Sequence, residues 1–299
     1  MEKNNINISI FTPTYNRCNT LIKLYESIKK QTYRNFEWIL VDDGSSDKTK
    51  KFSQLVEKEG KIKFTYFYQK NAGKPQAINR GAELASYEFF LCIDSDDFIA
   101  DDCIENITKQ IIQLNEIDDR WVGIITPRKN IAFPNHDFQL EQNIDKTSIQ
   151  ELYFKKKFKG ETTLLIKTAL LKKYKYPRFE NEKFIPETWQ YDIFDKIGYW
   201  YYMKDNICFY EYREDGYTSN FSKLIKNNVK GFEEFSLQRM KLGKYFISKM
   251  KGAVYFDISI FIQKRYFRCI FNKYFIMTIV AIIPAMYIFH KKGLSNVWY

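Results

Sequence analysis

Phe89-Phe90-Leu91-Cys92-Ile93-Asp94-Ser95-Asp96-Asp97 is the stretch from which the fold is read. An unbroken apolar run from Phe89 to Ile93 predicts a strand buried on both faces, as in a parallel sheet. The carboxylates Asp94, Asp96 and Asp97 follow where that strand ends. In open α/β sheets, ligands bind beyond the carboxyl ends of the strands. Acids crowded there repel one another unless a cation lies between them. Oxygen-only ligands suit a hard divalent ion, Mg²⁺ or Mn²⁺, which proteins usually hold with one or two carboxylates plus substrate phosphates. The stretch therefore points to a metal–diphosphate site. The plainer alternative is a solvated acidic turn capping a helix that starts near Asp101.

Working outward, the chain before this stretch alternates strands and helices. Ile6 to Phe11 reads as a first strand, with Pro13 expected to stop it for want of a ladder N–H. Asn19 or Thr20 can cap a helix to about Gln31, with Leu21, Leu24, Tyr25 and Ile28 on one face. Phe36 to Val41 is a second strand. It ends in Asp42-Asp43-Gly44-Ser45-Ser46-Asp47, where Gly44 permits a tight turn and Ser46 or Asp47 caps a helix to Lys58. Ile62 to Tyr68 is a third strand, and the loop Gln69 to Pro75 leads into a helix over about Gln76 to Ala85. After the acidic stretch come a helix over Asp101 to Asn115 and a strand over Val122 to Thr126. This alternation predicts βαβ units with right-handed crossovers.

The pattern then weakens. Pro134 to Asp137 and Asn143 to Asp145 are turn-like, Thr162 to Ile166 suits a short strand and Ala169 to Tyr174 a short helix. Phe184-Ile185-Pro186-Glu187-Thr188 opens a helix through about Ile197, and Ile207 to Tyr212 is a late strand. From Lys223 the chain reads as helical. Its last apolar run, Tyr274 to Phe289, lies between Lys273 and His290-Lys291-Lys292. That run is shorter than the ~20 residues of a bilayer span and is interrupted by Pro284. Its basic flanks suit a helix lying on a membrane surface, with a core helix as the alternative.

Composition sets the bounds. A chain of 299 residues with 45% hydrophobic content builds one large domain, or one domain with an appendage. The opening Met-Glu-Lys-Asn-Asn lacks the apolar core of a signal peptide, and the five scattered cysteines lack zinc-ligand spacing. Both features lead to the expectation of a reducing cytoplasm. Two histidines make a His-based triad or His-rich zinc site improbable. The net charge of +11, mostly in the second half, and 18% aromatic content suit an anionic surface. No nucleic-acid module is matched, so no nucleic-acid partner is expected and the membrane surface ranks first. A codon bias toward Lys, Asn, Ile, Phe and Tyr is the bland alternative.

Thr12-Pro13-Thr14-Tyr15-Asn16 after the first strand, Val41-Asp42-Asp43-Gly44-Ser45 after the second and Asp94-Ser95-Asp96-Asp97 after the central one occur in that order. With these motifs the chain resembles the family 2 glycosyltransferases of the bacterial capsule, O-antigen and cell-surface polysaccharide type. The match is good over residues 6 to about 126 and looser to about 220. The resemblance implies the GT-A fold, a Rossmann-like, mostly parallel sheet flanked by helices. It also implies transfer of a sugar from a nucleotide-sugar, usually a UDP-sugar, with Mn²⁺ or Mg²⁺. Residues 1–222 are the expected catalytic domain, with a nucleotide-sugar half (1–126) and an acceptor half (127–222). Residues 223–299 are the expected helical extension, bound to membrane or to a second copy.

Family roles carry over to matching positions. Pro13 and Tyr15 would border the base, and Asp43 would accept from the uracil or its ribose. Asp96 would ligate the metal. Asp94 would hold ribose or a metal-bound water, with Ser95 between them among the donor contacts. Lys74 or Arg80 would lie near the diphosphate. Inverting transfer needs a carboxylate that deprotonates the acceptor hydroxyl. Glu187 fits, since it lies about 90 residues beyond the acidic element, as the base does in relatives. A helix N-terminus keeps such a carboxylate ionised, and Trp189 could stack on a sugar ring. Asp192, Glu180 and Glu182 are the rival acids, and Asp97 caps a turn or joins the cluster. Tyr217 to Asn220 is the expected lid over the donor.

The resulting expectation is an inverting hexosyltransferase acting on a lipid-linked or surface glycan, peripheral on the inner face of the cell membrane. A nucleotidyltransferase is disfavoured because the loop after the first strand is not rich in Gly and Arg. The remaining alternative is a non-catalytic glycosyltransferase-like protein that binds sugar or assists a partner.

Overall fold

The computed structural model describes residues 6–117, 119–132, 140–205, 207–211 and 221–291. They form, in chain order, β1 (Ile8–Thr14), α1 (Cys18–Lys29), β2 (Phe36–Asp42), α2 (Thr49–Glu59), β3 (Lys63–Tyr68), α3 (Lys74–Leu84), β4 (Phe89–Cys92) and β5 (Phe98–Ile99). Then come α4 (Cys103–Ile117), β6 (Trp121–Asn130), β7 (Ile144–Thr147), α5 (Ile149–Phe154), β8 (Thr162–Lys167), α6 (Thr168–Lys173), α7 (Thr188–Ile197), β9 (Tyr199–Tyr202) and β10 (Cys208–Tyr210). The rest is helical: α8 (Phe221–Asn227), α9 (Val229–Leu242), α10 (Phe246–Ile262), a 3₁₀ turn (Tyr266–Cys269) and α11 (Phe275–Lys291).

Two compact units result. The first comprises Met1–Thr147, Gly160–Lys175 and Ile197–Glu211 and holds the ten-stranded sheet, ordered β3-β2-β1-β4-β8-β6-β10-β5 with β9 on β6 and β7 on β9. The sheet is parallel from β3 through β4, as the βαβ reading requires; β8 then runs antiparallel between β4 and β6. One face packs Ile10, Trp38, Leu40 and Leu91 against Leu21, Leu24 and Ile28 of α1 and Ile104, Ile107 and Ile111 of α4. Residues alternate sides along each strand, so the neighbours Phe11 and Phe90 serve the other face, where their rings stack at 4.9 Å. There α3 closes on the sheet through Gly81, whose missing Cβ would lie 2.2 Å from the Phe11 ring.

Several local expectations are corrected. Pro13 does not end β1; it sits inside the strand opposite Val41. In this ladder Thr14 bonds toward β2 through Asp43 N–H, whereas Phe11 bonds toward β4 through Ile93 N–H. Residues 11 and 13 share a side, and β4 has ended by the level of residue 13, so its missing N–H costs no ladder bond. Neither Asn19 nor Thr20 is the N-cap of α1; Arg17 holds that position, and Asp47 accepts from Cys18 N–H at 2.9 Å instead. Neither Ser46 nor Asp47 is the N-cap of α2; Lys48 holds that position, and Asp47, one residue earlier, accepts from Thr49 N–H at 3.0 Å. The helix after the third strand begins two residues early, at Lys74, because Pro75 fits a first helical turn. β5, β7, β9 and α5 carry no signal in the sequence: they span two to six residues, too short for a period to register.

The second unit comprises Ser148–Lys159, Tyr176–Lys196 and Tyr212–Tyr299. Its core gathers Met240 of α9, Ala253, Phe256 and Ile260 of α10, Cys269, and Ala281 of α11. Among the described residues no helix is long and apolar enough to cross a membrane. The turn expected at 134–137 and the lid expected at 217–220 lie outside the described residues.

Candidate active site

In the first unit, the carboxyl ends of β1, β2 and β4 bring three motifs to one rim. Past β1, Tyr15 is 52% exposed, leaving a ring surface for a planar base. Asn16 adopts a left-handed backbone (φ 53°), which Asn tolerates better than most residues. Its N–H donates to Ser45 Oγ at 2.9 Å, and its Oδ1 accepts from Ser46 N–H at 2.8 Å, tying the loop after β1 to the loop after β2. The Thr14 hydroxyl is buried with no hydrogen-bond partner among the described residues. Gly44 turns with φ 88°, and a Cβ there would lie 2.8 Å from Asn71 N, so only glycine lets the two loops approach.

The acidic pair after β2 is built into its surroundings. Asp42 accepts from Ser45 N–H and from the Tyr66 hydroxyl, each at 2.8 Å. Asp43 accepts from Gln69 Nε2 at 2.7 Å and Ala72 N–H at 2.8 Å on one oxygen, and from Gly73 N–H at 2.7 Å on the other. It thereby fixes the loop that delivers α3, which starts immediately after Gly73 (φ 91°).

Lys74, in the first turn of α3, reaches Asp94 Oδ1 at 2.7 Å. Arg128 comes from β6 and donates to Asp94 Oδ2 at 2.9 Å, to Asp97 Oδ2 at 2.8 Å and to Thr163 Oγ1 at 3.0 Å. Burial alone would raise Asp94, but Lys74 and Arg128 outweigh it and hold the carboxyl well below the usual range. Burial pushes Asp97 up to about 7; Arg128 opposes this, while the charges of Asp94 and Asp96 add to it. Ser95 is buried. Asp96 is half-buried and, among the described residues, is bonded to none. Arg80 lies six residues beyond Lys74, on another side of α3. There it pairs with Glu83 at 2.7 Å and lies over the Phe67 ring.

Sequence reasoning missed Arg128. The signal was faint: an arginine continuing an apolar strand, Ile124-Ile125-Thr126-Pro127-Arg128, beyond the point where the run was expected to stop. Yet it is the residue that neutralises two of the three strand-tip acids. What remains is one uncommitted carboxylate, Asp96. Among the described residues no three His, Cys, Asp or Glu side chains cluster as a metal cage. A hard cation held by one carboxylate and completed by phosphate oxygens fits this donor set.

Glu187 lies in the second unit, just before α7. Gln190 N–H donates to its carbonyl at 3.0 Å, so Glu187 sits at the helix start as expected. The Tyr191 hydroxyl donates to Glu187 Oε2 at 2.8 Å, and the Tyr176 hydroxyl donates to its carbonyl oxygen at 3.1 Å. The Tyr176 and Trp189 rings lie 6.1 Å apart beside it. Two of the three rival acids are occupied, while Glu180 is exposed. Asp192 is buried against Arg239 and accepts from Gln150 Nε2, and burial takes it up to about 6 despite the guanidinium. Glu182 accepts from Lys230 and Gly231 N–H at the start of α9.

The family model described as Glycosyl transferase family 2 matches residues 9–175. An uncharacterized glycosyltransferase of Rickettsia conorii is 38% identical over 102 residues, 34% of this chain and 17% of that protein. A poly-beta-1,6-N-acetyl-D-glucosamine synthase of Staphylococcus epidermidis is 36% identical over 95 residues, 32% of this chain and 23% of that one. The shared stretch thus spans less than a quarter of either relative. S. aureus TarS 1–349 in complex with UDP-GlcNAc superposes with TM-score 0.64 at 18% identity, covering 98% of this chain and 84% of that one. A mannosyltransferase from Pyrobaculum calidifontis in complex with GDP-Man and Mn²⁺ gives 0.56 at 15% identity, covering 97% and 82%. At these identities the structural likeness speaks for the fold, which is the expected GT-A architecture.

Proposed function

We propose that this chain, which belongs to glycosyl transferase family 2, moves a hexose or N-acetylhexosamine from a UDP-sugar to a hydroxyl of a lipid-linked or surface glycan, with inversion. The observation that carries the reading is the division of labour at the tip of β4. Lys74 and Arg128 fix Asp94, Arg128 fixes Asp97, and Asp96 is left for a cation. The UDP-GlcNAc held by TarS and the N-acetylglucosamine polymer named for the S. epidermidis relative favour that donor class. The Mn²⁺ of the mannosyltransferase favours a divalent ion.

In this reading Tyr15 and Pro13 flank the uracil. Asp43 orders the 69–73 loop and offers its remaining acceptor capacity to uracil or ribose. Asp96 ligates Mn²⁺ or Mg²⁺, which when bound offsets the charge developing on the leaving diphosphate. Asp94 and Ser95 hold ribose or bound water, and Lys74 turns to the diphosphate once the donor is present. Arg80, held by Glu83, is the weaker candidate for that contact. Glu187 removes the acceptor proton, its carboxylate oriented by Tyr191. The test is UDP release from a panel of UDP- and GDP-sugars with Mn²⁺. The reading predicts turnover with a UDP-sugar that chelation abolishes. Release unaffected by chelation, or no donor binding at all, contradicts it; binding without turnover favours the non-catalytic alternative.

A further inference from the structure

In the second unit, α11 and the segment before it leave large apolar side chains exposed among the described residues. α11 buries one stripe, Thr278, Ala281 and Ala285, against the unit's core. Around the opposite arc Ile276 (67% exposed), Val280 (61%) and Ile283 (78%) recur at helical spacing, with no polar residue among them. Phe267 in the turn and Phe271 just beyond it are 78% and 77% exposed. Those two rings alone show roughly 300 Å² of apolar surface, as much as the largest patch on a typical soluble monomer. A helix apolar all round is one that something covers.

Charge chooses among the possible covers. The sequence has no Asp or Glu after Asp257, while Lys264, Arg265, Arg268, Lys273, Lys291 and Lys292 punctuate it. Lys264, Arg265 and Lys273 are exposed. Glu233 of α9 pairs with Arg265 and Arg268, so one acid answers two arginines. In a two-fold dimer through this face, the same basic patch would meet itself, and the 258–299 stretch has no acid to offer the partner's cations. An anionic lipid surface supplies both the apolar depth and the negative charge.

We propose that the 266–283 face docks on the headgroup–acyl boundary of an anionic bilayer, with α11 in the membrane plane. The Phe and Ile side chains enter the boundary, and the exposed lysines lie at the phosphates.

The test is flotation of the full chain with phosphatidylcholine vesicles, with and without one-quarter phosphatidylglycerol, at low and high salt. The proposal expects binding to the anionic vesicles that weakens with salt, and about a tenfold loss in Phe267→Ser/Phe271→Ser, equal to about 1.4 kcal/mol. The Ile283→Trp chain should give a blue-shifted emission that brominated lipid quenches, a readout that does not depend on how a disruptive variant folds. No flotation of the wild-type chain, equal binding to neutral vesicles, or an emission from the Ile283→Trp chain that brominated lipid leaves unquenched would overturn it. So would a dimer seen by sedimentation that the double serine variant dissolves.

Discussion

Arg128 shows how one side chain sets the character of the rest of the site. Its guanidinium bonds to two carboxylates at one strand tip, of which only Asp94 has a second cation, Lys74. Arg128→Met should therefore cost about 3–5 kcal/mol of stability, read as a lower urea midpoint, because Asp97 loses its charged partner and Asp94 keeps only Lys74. A loss under ~1 kcal/mol would mean the pairs are solvent-screened. Glu187 makes a different residue-scale prediction. Glu187→Gln preserves the shape beside Tyr191 but removes the proton acceptor. Transfer should fall by about 10²-fold or more while UDP affinity, followed by calorimetry, stays within about twofold. Normal turnover in that variant would remove Glu187 from the role of base.

At the scale of elements, α3 and α10 are the informative helices. α3 lies on β1 because Gly81 lets it touch the Phe11 ring, and its first turn carries Lys74. Gly81→Ala should displace the helix, cost about 1–3 kcal/mol as an overpacked contact and weaken UDP binding. Stability lost with UDP affinity unchanged would uncouple α3 from the donor. In α10, Asp257 is fully buried, and among the described residues neither oxygen has a hydrogen-bond partner. Burial takes its carboxyl up to about 7, with only the Cys269 thiol opposing. The folded state thus holds a proton the unfolded chain releases near pH ~4, so this group's contribution is full below about pH 4 and is lost as pH rises to about 7. Asp257→Asn should flatten that part of the stability–pH curve and raise Tm at about pH 8 by several degrees; an unchanged curve would place the charge in contact with water.

The elements around these helices differ in how openly the sequence announces them. β1 to β4 and α1 to α4 are long enough for their periods to register, and the motifs at the strand ends mark the rim. Arg128 and the short strands β5, β7 and β9 were illegible because they depend on which distant strand lies alongside. The buried pairing of Asp192 with Arg239 is hidden for the same reason, its partners being 47 residues apart.

On the scale of the whole molecule, the chain is two units threaded through one another in sequence. Residues 148–159 and 176–196 share a unit with the helical tail, while 160–175 and 197–211 return to the sheet. No local period announces such a partition, since it is made by contacts between distant segments. It divides the proposed chemistry as well: the donor contacts belong to the sheet unit, Glu187 and the apolar face of α11 to the helical one. The excess of positive charge in the second half is then a property of the unit proposed to meet anionic lipid. The cation at the tip of β4 remains the claim on which the enzyme reading turns. Anomalous diffraction at the manganese edge, from crystals grown with UDP and Mn²⁺, tests it most directly. The account predicts one peak about 2–2.5 Å from an Asp96 carboxylate oxygen and in contact with the diphosphate. A peak elsewhere, or an Asp96 side chain turned away from the nucleotide, would contradict it.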